Sequence, residues 1–135
     1  MEFYTWKKGE DIQFTEHFNS KEFTCQCSYP ECVEQKISKK LVEDLETCRQ
    51  EFKQSVIINS GYRCPKHNED IGGAKNSQHK YGKAADTRPK LLTTDSMDEW
   101  FKIVSRTFKA LGVAQSFIHL DVREMEGSAR KIWYY

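Results

Sequence analysis

Three side chains, far apart along the chain, have the types and the spacing of a metal site. His79 and Asp86 lie on either side of Gly82, a spacing that suits a bend leading into a strand, where an imidazole and a carboxylate can converge on one cation. His119 can supply a third ligand. Two imidazoles and one carboxylate leave the fourth position of zinc open for water, whereas a structural zinc is usually closed by four ligands, often cysteines. The set therefore predicts a hydrolytic zinc centre.

The segment that contains His119 alternates as a half-buried strand does. Its apolar residues at positions 118, 120 and 122 point one way. The opposite face consists of Phe117, His119, Asp121 and Arg123. A strand that gives a face to charged groups forgoes about 1.5 to 3 kcal/mol for each large apolar side chain it could have buried. Such a face lies either in water or in a functional site.

Five cysteines offer a second set of metal ligands: Cys25, Cys27, Cys32, Cys48 and Cys64. An odd number cannot pair completely within the chain, and without an export signal a reducing compartment is the simpler assumption. The spacing Cys25-x-Cys27-x4-Cys32 suits a structural zinc if Cys48 or Cys64 completes the set of four. A disulfide formed outside the cell and buried free thiols are the alternatives left open.

Two helices and a strand are expected to position these groups. Apolar residues three and four apart predict an amphipathic helix over Ser38–Phe52, and the β-branched run Ser55–Asn59 predicts a buried strand. A second helix, Ser96–Leu111, is framed by Ser96 and Glu99 in capping-box spacing and by Gly112 as the C′ residue. The final residues, Trp133-Tyr134-Tyr135, indicate either an edge strand or a wall of the substrate site.

Length and composition predict a single globular domain over residues 1–135. The 21 Lys and Arg nearly balance the 20 Asp and Glu and are dispersed, so nucleic acid is not an expected partner. No apolar run approaches the roughly 20 residues that cross a bilayer, and the N-terminus lacks the features of a signal peptide. We expect a monomer that is synthesised in the cytoplasm and has no membrane partner.

The string Ser77-x-His79-x-x-Gly82-x-Ala84-x-Asp86 resembles the metal motif of the zinc D-alanyl-D-alanine carboxypeptidases, a family of peptidoglycan peptidases. Ser60-Gly61-Tyr62-Arg63 precedes it and His119-x-Asp121 follows it, in the order expected for that family. The resemblance runs from about His17 to Arg123. Lysostaphin-type peptidases and the hedgehog signalling domain share this metal-site fold. The resemblance implies an α+β fold in which helices pack on a small, mainly antiparallel sheet whose central strands carry the zinc site.

The resemblance also implies roles for individual residues. His79 and Asp86 match the first two zinc ligands of the family. Arg63 matches the arginine that holds the substrate's carboxylate, for which a bidentate guanidinium is suited. The same motifs place Ser77 and Tyr62 among the expected substrate-binding residues.

The third ligand is open to two interpretations, because His119-Leu120-Asp121 departs from the His-x-His and Glu-x-x-His endings of relatives. In the first, His119 binds zinc and Asp121 is the general base. In the second, Asp121 binds the metal and His119 assists the reaction. We favour the first, since two imidazoles and one carboxylate are the family's ligand set.

The expected function is hydrolysis of a peptide bond in the peptidoglycan stem peptide or cross-link, in an enzyme that acts on the cell wall and suits a phage or viral lysis function. Zinc is the expected cofactor and Asp121 the expected proton acceptor. One alternative is a catalytically inactive interaction module that keeps the zinc fold. Another is an interaction protein whose only metal is bound near Cys25–Cys32.

Overall fold

Seven strands form two sheets of unequal size in the computed structural model, which describes residues 1–135. The elements are β1 (Phe3–Lys7), α1 (Ser20–Phe23), β2 (Glu34–Ser38), α2 (Lys39–Phe52), β3 (Val56–Ser60), α3 (Pro65–Asp70), a 3-10 helix (Gln78–Tyr81), β4 (Ala84–Pro89), α4 (Thr94–Thr107), β5 (Ala110–Val113), β6 (Ile118–Asp121) and β7 (Lys131–Tyr134). β1 and β2 form an antiparallel pair, and the larger sheet has the order β3-β4-β6-β5-β7. Only the β5–β7 pairing is parallel. The predicted α+β class with a mainly antiparallel sheet is confirmed.

The first predicted helix is present as α2. The Ser38 hydroxyl caps its N-terminus by accepting a hydrogen bond from the Leu41 amide at 3.2 Å. The helix ends where Lys53 adopts a left-handed conformation with φ of 60°. Its inward stripe is buried, as the apolar spacing predicts, and comprises Leu41, Val42, Leu45, Cys48 and Phe52. The predicted strand is likewise present as β3.

The second predicted helix exists as α4, but both of its predicted ends are wrong. The capping box joins Thr93 and Ser96, since each side chain accepts a hydrogen bond from the other's amide, at 3.0 and 2.9 Å. At the other end, the chain becomes extended at Phe108, and Leu111 lies in β5. Both residues are buried in the same core as the helix, so the apolar spacing continues past the point where the helix stops.

The core lies between α2, α4 and one face of the larger sheet. Trp100 of α4 is fully buried, and its indole N–H donates to the Thr87 hydroxyl of β4 at 2.9 Å. Ala85, Ile118 and Leu120 place their side chains in the same cluster. Because side chains alternate along a strand, the opposite face of β4 and β6 is available for polar groups.

Hydrogen bonds between His17 and Glu46 fasten the segment before α1 to the middle of α2. The Glu46 carboxylate accepts from the His17 amide at 2.8 Å and lies 2.6 Å from the His17 ring. The Gln50 side chain also donates to it, at 3.2 Å. Burial alone would raise the pKa of Glu46, but the hydrogen bonds, chiefly from His17, lower it from 4.5 to about 2.

We expect Glu46→Gln to reduce the free energy of unfolding at pH 7 by about 1 to 3 kcal/mol, because the carboxylate that accepts these hydrogen bonds is lost from a buried site. A carboxyl group with a depressed pKa contributes fully above its unfolded value near 4.5 and loses that contribution as the pH falls toward 2. The gap between variant and wild type should therefore shrink by more than half at pH 3 in urea denaturation. Glu43→Gln, at an exposed position of the same helix, is the control. A gap that does not depend on pH would contradict this account.

Candidate metal centre

The three predicted ligands converge at one point. His79 lies in the 3-10 helix, Asp86 in β4 and His119 in β6. The Asp86 Oδ1 atom is 3.2 Å from His79 Nε2 and 3.0 Å from His119 Nδ1. All three side chains are buried, and their ligand atoms lie within 4.8 Å of one another. The structure thus brings together one oxygen and two nitrogens from three separate elements.

Local structure explains this convergence. Asp86 and His119 are directly opposed in the antiparallel β4–β6 register, on the face away from the core. The Ser77 hydroxyl caps the 3-10 helix by accepting from the His79 amide at 3.3 Å. Gly82 ends that helix with φ of 67°, and a Cβ atom there would lie only 2.8 Å from the Lys36 carbonyl oxygen. The chain can therefore turn from the helix into β4 only with glycine at this position.

In each imidazole, the ring nitrogen that faces away from Asp86 donates a hydrogen bond to an acceptor on the protein. His79 Nδ1 lies 2.7 Å from the Gly61 carbonyl oxygen, and His119 Nε2 lies 2.8 Å from Asp121 Oδ2. A carbonyl and a carboxylate only accept, so both outer nitrogens carry the hydrogen. When neutral, each ring consequently points a lone pair at Asp86. Such outer partners are typical of metal-binding histidines.

The Gly61 carbonyl is fixed by close backbone packing. A Cβ atom at Gly61 would lie 2.6 Å from Phe23 Cα and 2.8 Å from the Phe23 carbonyl oxygen. The next amide, of Tyr62, donates to that same oxygen at 2.9 Å. Glycine lets the loop after β3 lie against the end of α1, and this contact sets the carbonyl that orients His79.

The electrostatics of the three ligands favour a bound cation. Burial alone would raise the pKa of Asp86, but hydrogen bonds and charges from His119 and His79 hold it well below its usual range. Burial disfavours a charged His119 ring, yet the carboxylates of Asp121 and Asp86 raise its pKa. The ionised Asp86 Oδ1 would repel the lone pairs of His79 Nε2 and His119 Nδ1 unless a proton or a metal ion lay between these three atoms. The donor set fits zinc, whose bonds to nitrogen and oxygen of about 2.1 Å separate tetrahedral ligands by about 3.4 Å.

Asp121 lies behind His119 rather than at the open side of the centre. Its side chain is fully buried and receives two hydrogen bonds from the Arg123 guanidinium, at 2.8 and 2.7 Å. Burial would raise the pKa of Asp121, but Arg123 and then His119 lower it to about 2. Asp121 does not line the cavity in front of the three ligands. In this position the Asp121 carboxylate accepts from His119 and orients its ring, while its role as general base stays a prediction.

Arg63 contacts the centre from the side. Its Nη2 atom is 3.3 Å from Asp86 Oδ2, the oxygen that does not face the imidazoles. Nε donates to the Ser60 hydroxyl at 3.1 Å and Nη1 to Asn68 Oδ1 at 3.3 Å. A guanidinium has five N–H groups. One hydrogen on each terminal nitrogen thus stays free to meet a ligand in the cavity.

A cavity of about 560 Å³ opens in front of the three ligands. Three cationic side chains line it, those of Arg63, Arg123 and Lys131, whereas Asp86 has the only carboxylate side chain in the lining. Its aromatic wall consists of Phe117, Trp133 and Tyr135. The cavity is therefore suited to an anionic ligand with some apolar surface.

The C-terminal aromatic residues lie both in an edge strand and in the wall of the cavity, the two positions that the sequence left open. β7 is an edge strand paired with β5, and Trp133 and Tyr135 also line the cavity. Gly112, predicted to end a helix, instead lies in β5 beneath Trp133, where a Cβ atom would be 2.5 Å from the indole ring. Glycine makes room for that ring at this point, so the C′ prediction is wrong.

The remaining predicted site residues fall in different places. Ser77 lines the cavity as well as capping the helix of His79. Tyr62 lies outside the cavity and packs against cysteines, so its predicted contact with substrate is not supported. Sequence reasoning missed Lys131, because a single lysine in a polar terminal segment gives no signal.

One comparison with known proteins is positive. A family model described as Peptidase M15 matches residues 16–121. This range contains His79, Asp86 and His119 and agrees closely with the extent of the resemblance noted in the sequence. A search of curated proteins found no match. None of the helices combines the length and the apolar character needed to span a membrane.

Proposed function

The chain belongs to the peptidase M15 family of zinc D-alanyl-D-alanine carboxypeptidase-type peptidases, and from this premise we propose that it hydrolyses peptide bonds of the peptidoglycan stem peptide or cross-link. The observation that carries the proposal is the convergence of His79 Nε2, Asp86 Oδ1 and His119 Nδ1 at one side of an open cavity. Family membership supports metallopeptidase activity in general. The cationic side chains that line the cavity support peptidoglycan peptides as the substrate.

His79, Asp86 and His119 would hold zinc, which supplies Lewis acidity toward a carbonyl oxygen and toward water. The chain's own contribution is to keep the ligand atoms aligned. Gly61 and Asp121 fix the proton on the outer nitrogen of each ring, so that the inner nitrogens stay available to the metal. These residues would supply three protein ligands, the number typical of catalytic zinc sites.

The lining of the cavity supports a peptide that bears carboxylates. Stem peptides carry free carboxyl groups along their length and at their ends, and Arg63, Arg123 and Lys131 face the space they would enter. Arg63 lines this space and has two N–H groups that no protein atom accepts, and a guanidinium can donate two parallel hydrogen bonds to one carboxylate. Trp133 adds a flat surface beside His119, with ring centroids 5.3 Å apart.

We expect Asp121→Asn to weaken zinc affinity by about 10- to 100-fold, because the partner that orients His119 loses its charge. Peptidase activity should fall at limiting zinc and largely return when zinc is saturating. Zinc titration by calorimetry and activity at each zinc concentration measure this, with Glu124→Gln, at an exposed nearby position, as the control. Activity that stays lost in a fully zinc-loaded Asp121→Asn protein would instead identify Asp121 as the general base.

Digestion of purified peptidoglycan tests the proposed function directly. Mass spectrometry of the products should show stem peptides shortened or cross-links opened, with cleavage stopped by a chelator and restored by zinc. A panel of stem peptides with free or amidated carboxyl groups separates carboxypeptidase from endopeptidase activity. Unchanged wall material in the presence of a zinc-loaded protein would favour the inactive interaction module and contradict the proposal.

A further inference from the structure

Four of the five cysteines meet in a cluster separate from the metal centre. The sulfur atoms of Cys25, Cys27, Cys32 and Cys64 all lie within 4.8 Å of one another. The fifth, Cys48, is buried in the main core with α2. We propose that Cys25, Cys27, Cys32 and Cys64 bind a second zinc ion, which has a structural role. This inference does not depend on the proposed peptidase activity.

The spacing of the sulfurs fits a metal tetrahedron better than a disulfide. Cys27 Sγ and Cys64 Sγ are 3.8 Å apart. Zinc–sulfur bonds of about 2.3 Å place the sulfurs of a tetrahedral site about 3.8 Å apart. A disulfide requires about 2.05 Å, and all five cysteines are free thiols in the structure. A set of four thiolates leaves no open position, which is the arrangement of structural rather than catalytic zinc.

Every sulfur in the cluster receives an N–H donor, which is the outer shell expected around metal-bound thiolates. The donors are the Cys64 amide to Cys25 at 3.3 Å, Lys8 Nζ to Cys27 at 3.3 Å, Gln35 Nε2 to Cys32 at 3.4 Å, and the His67 amide to Cys64 at 3.4 Å. A zinc ion with four thiolates has a net charge of −2. The Lys8 ammonium lies where it offsets part of that charge.

Three of the four cysteines in the cluster are buried. Cys25, Cys32 and Cys64 are buried, and Tyr29 and Tyr62 pack against them in a small core separate from the main one. A bound ion would join the members of this core directly, and metal binding of this kind adds to folding stability.

The cluster connects two distant parts of the chain. Cys25, Cys27 and Cys32 belong to the segment between α1 and β2, and Cys64 caps the start of α3. Cys64 directly follows Arg63, and the same loop carries the Gly61 carbonyl that orients His79. A zinc ion here would hold that loop in place and so support the first metal centre from outside it.

Metal and thiol counting on the wild-type protein tests the inference without any substitution. Protein purified under reducing conditions should contain about two zinc ions per chain, one in each site. Titration of the thiols with an organic mercurial should release about one of them, as followed with a zinc-sensitive dye. Zinc content near one per chain, with none released by the mercurial, would overturn the inference. Iron at this site, or disulfide-linked cysteines in freshly purified protein, would overturn it equally.

Single substitutions identify the residues that bind the zinc ion released by the mercurial. Cys27→Ser, at the half-exposed position, should lose about one zinc, whereas Cys48→Ala should keep both. His79→Ala should lose the other zinc and keep the mercurial-sensitive one. Cobalt substitution gives a readout independent of activity, since sulfur-to-cobalt charge-transfer absorption should persist in His79→Ala and weaken strongly in Cys27→Ser. Equal zinc content and equal absorption in Cys27→Ser and Cys48→Ala would contradict the four-cysteine site.

Discussion

Replacing His79 by alanine should lower kcat/KM for peptide hydrolysis by at least about a thousand-fold, because loss of metal-based charge stabilisation costs several kcal/mol in the transition state. The variant removes one of only three protein ligands at the candidate centre, the one whose Nδ1 is fixed 2.7 Å from the Gly61 carbonyl. Zinc bound at this centre should be lost with the activity. Zinc content and hydrolysis of a defined stem peptide are measured on the same preparation.

His67→Ala is the matched control for this substitution. His67 is half-exposed in α3, and its contact with Cys64 is made by the backbone amide, which alanine retains. The control should keep its zinc and its activity. If His79→Ala retained wild-type turnover, the converging side chains would not be the catalytic centre, whatever metal the protein contains.

Removing the Arg63 side chain should have the second largest effect. Arg63→Ala deletes the free N–H groups that face the cavity and the 3.3 Å contact with Asp86 Oδ2. We expect a loss of about a hundred-fold on a substrate with a free terminal carboxylate, corresponding to about 2.7 kcal/mol, and a clearly smaller loss when that carboxyl group is amidated. Steady-state kinetics on the paired substrates measure the difference.

Two further variants give this prediction its controls. Arg63→Lys keeps the charge but not the planar fork, so it should recover only part of the activity. Arg88→Ala removes an arginine that bonds backbone carbonyls outside the cavity and should leave the kinetics unchanged. Equal losses on both substrates would mean that Arg63 acts only by orienting Asp86 and does not bind the substrate.

The convergence of the ligands could be predicted because two strong local rules agree. Gly82 lets the chain turn from the 3-10 helix into β4, and this turn brings His79 close to Asp86. The alternation of side chains along β6 fixes the face on which His119 lies. The position of Asp121 relative to the cavity could not be predicted in the same way. Alternation puts it on the face of His119, but only the paired bonds from Arg123 reveal that it points away from the cavity.

The errors in the bounds of α4 arose where tertiary contacts override a local pattern. Phe108 and Leu111 extend the apolar spacing of α4 although they lie beyond its end, since extended residues can enter the same core. In the sequence, Gly112 has the position of a glycine that ends a helix. In the structure it lies in β5, and its lack of a side chain leaves room for the Trp133 ring of β7. Spacing among cysteines likewise could not choose between Cys48 and Cys64, because that choice depends on how loops fold together.

The metal centre can be located by anomalous diffraction at the zinc absorption edge, from crystals of the protein purified with zinc. We expect a strong peak in contact with His79 Nε2, Asp86 Oδ1 and His119 Nδ1, with Asp121 hydrogen-bonded to the far side of His119 and not to the metal. A zinc-loaded crystal without a peak at that position, or with the two imidazoles bound to separate centres, would contradict this expectation.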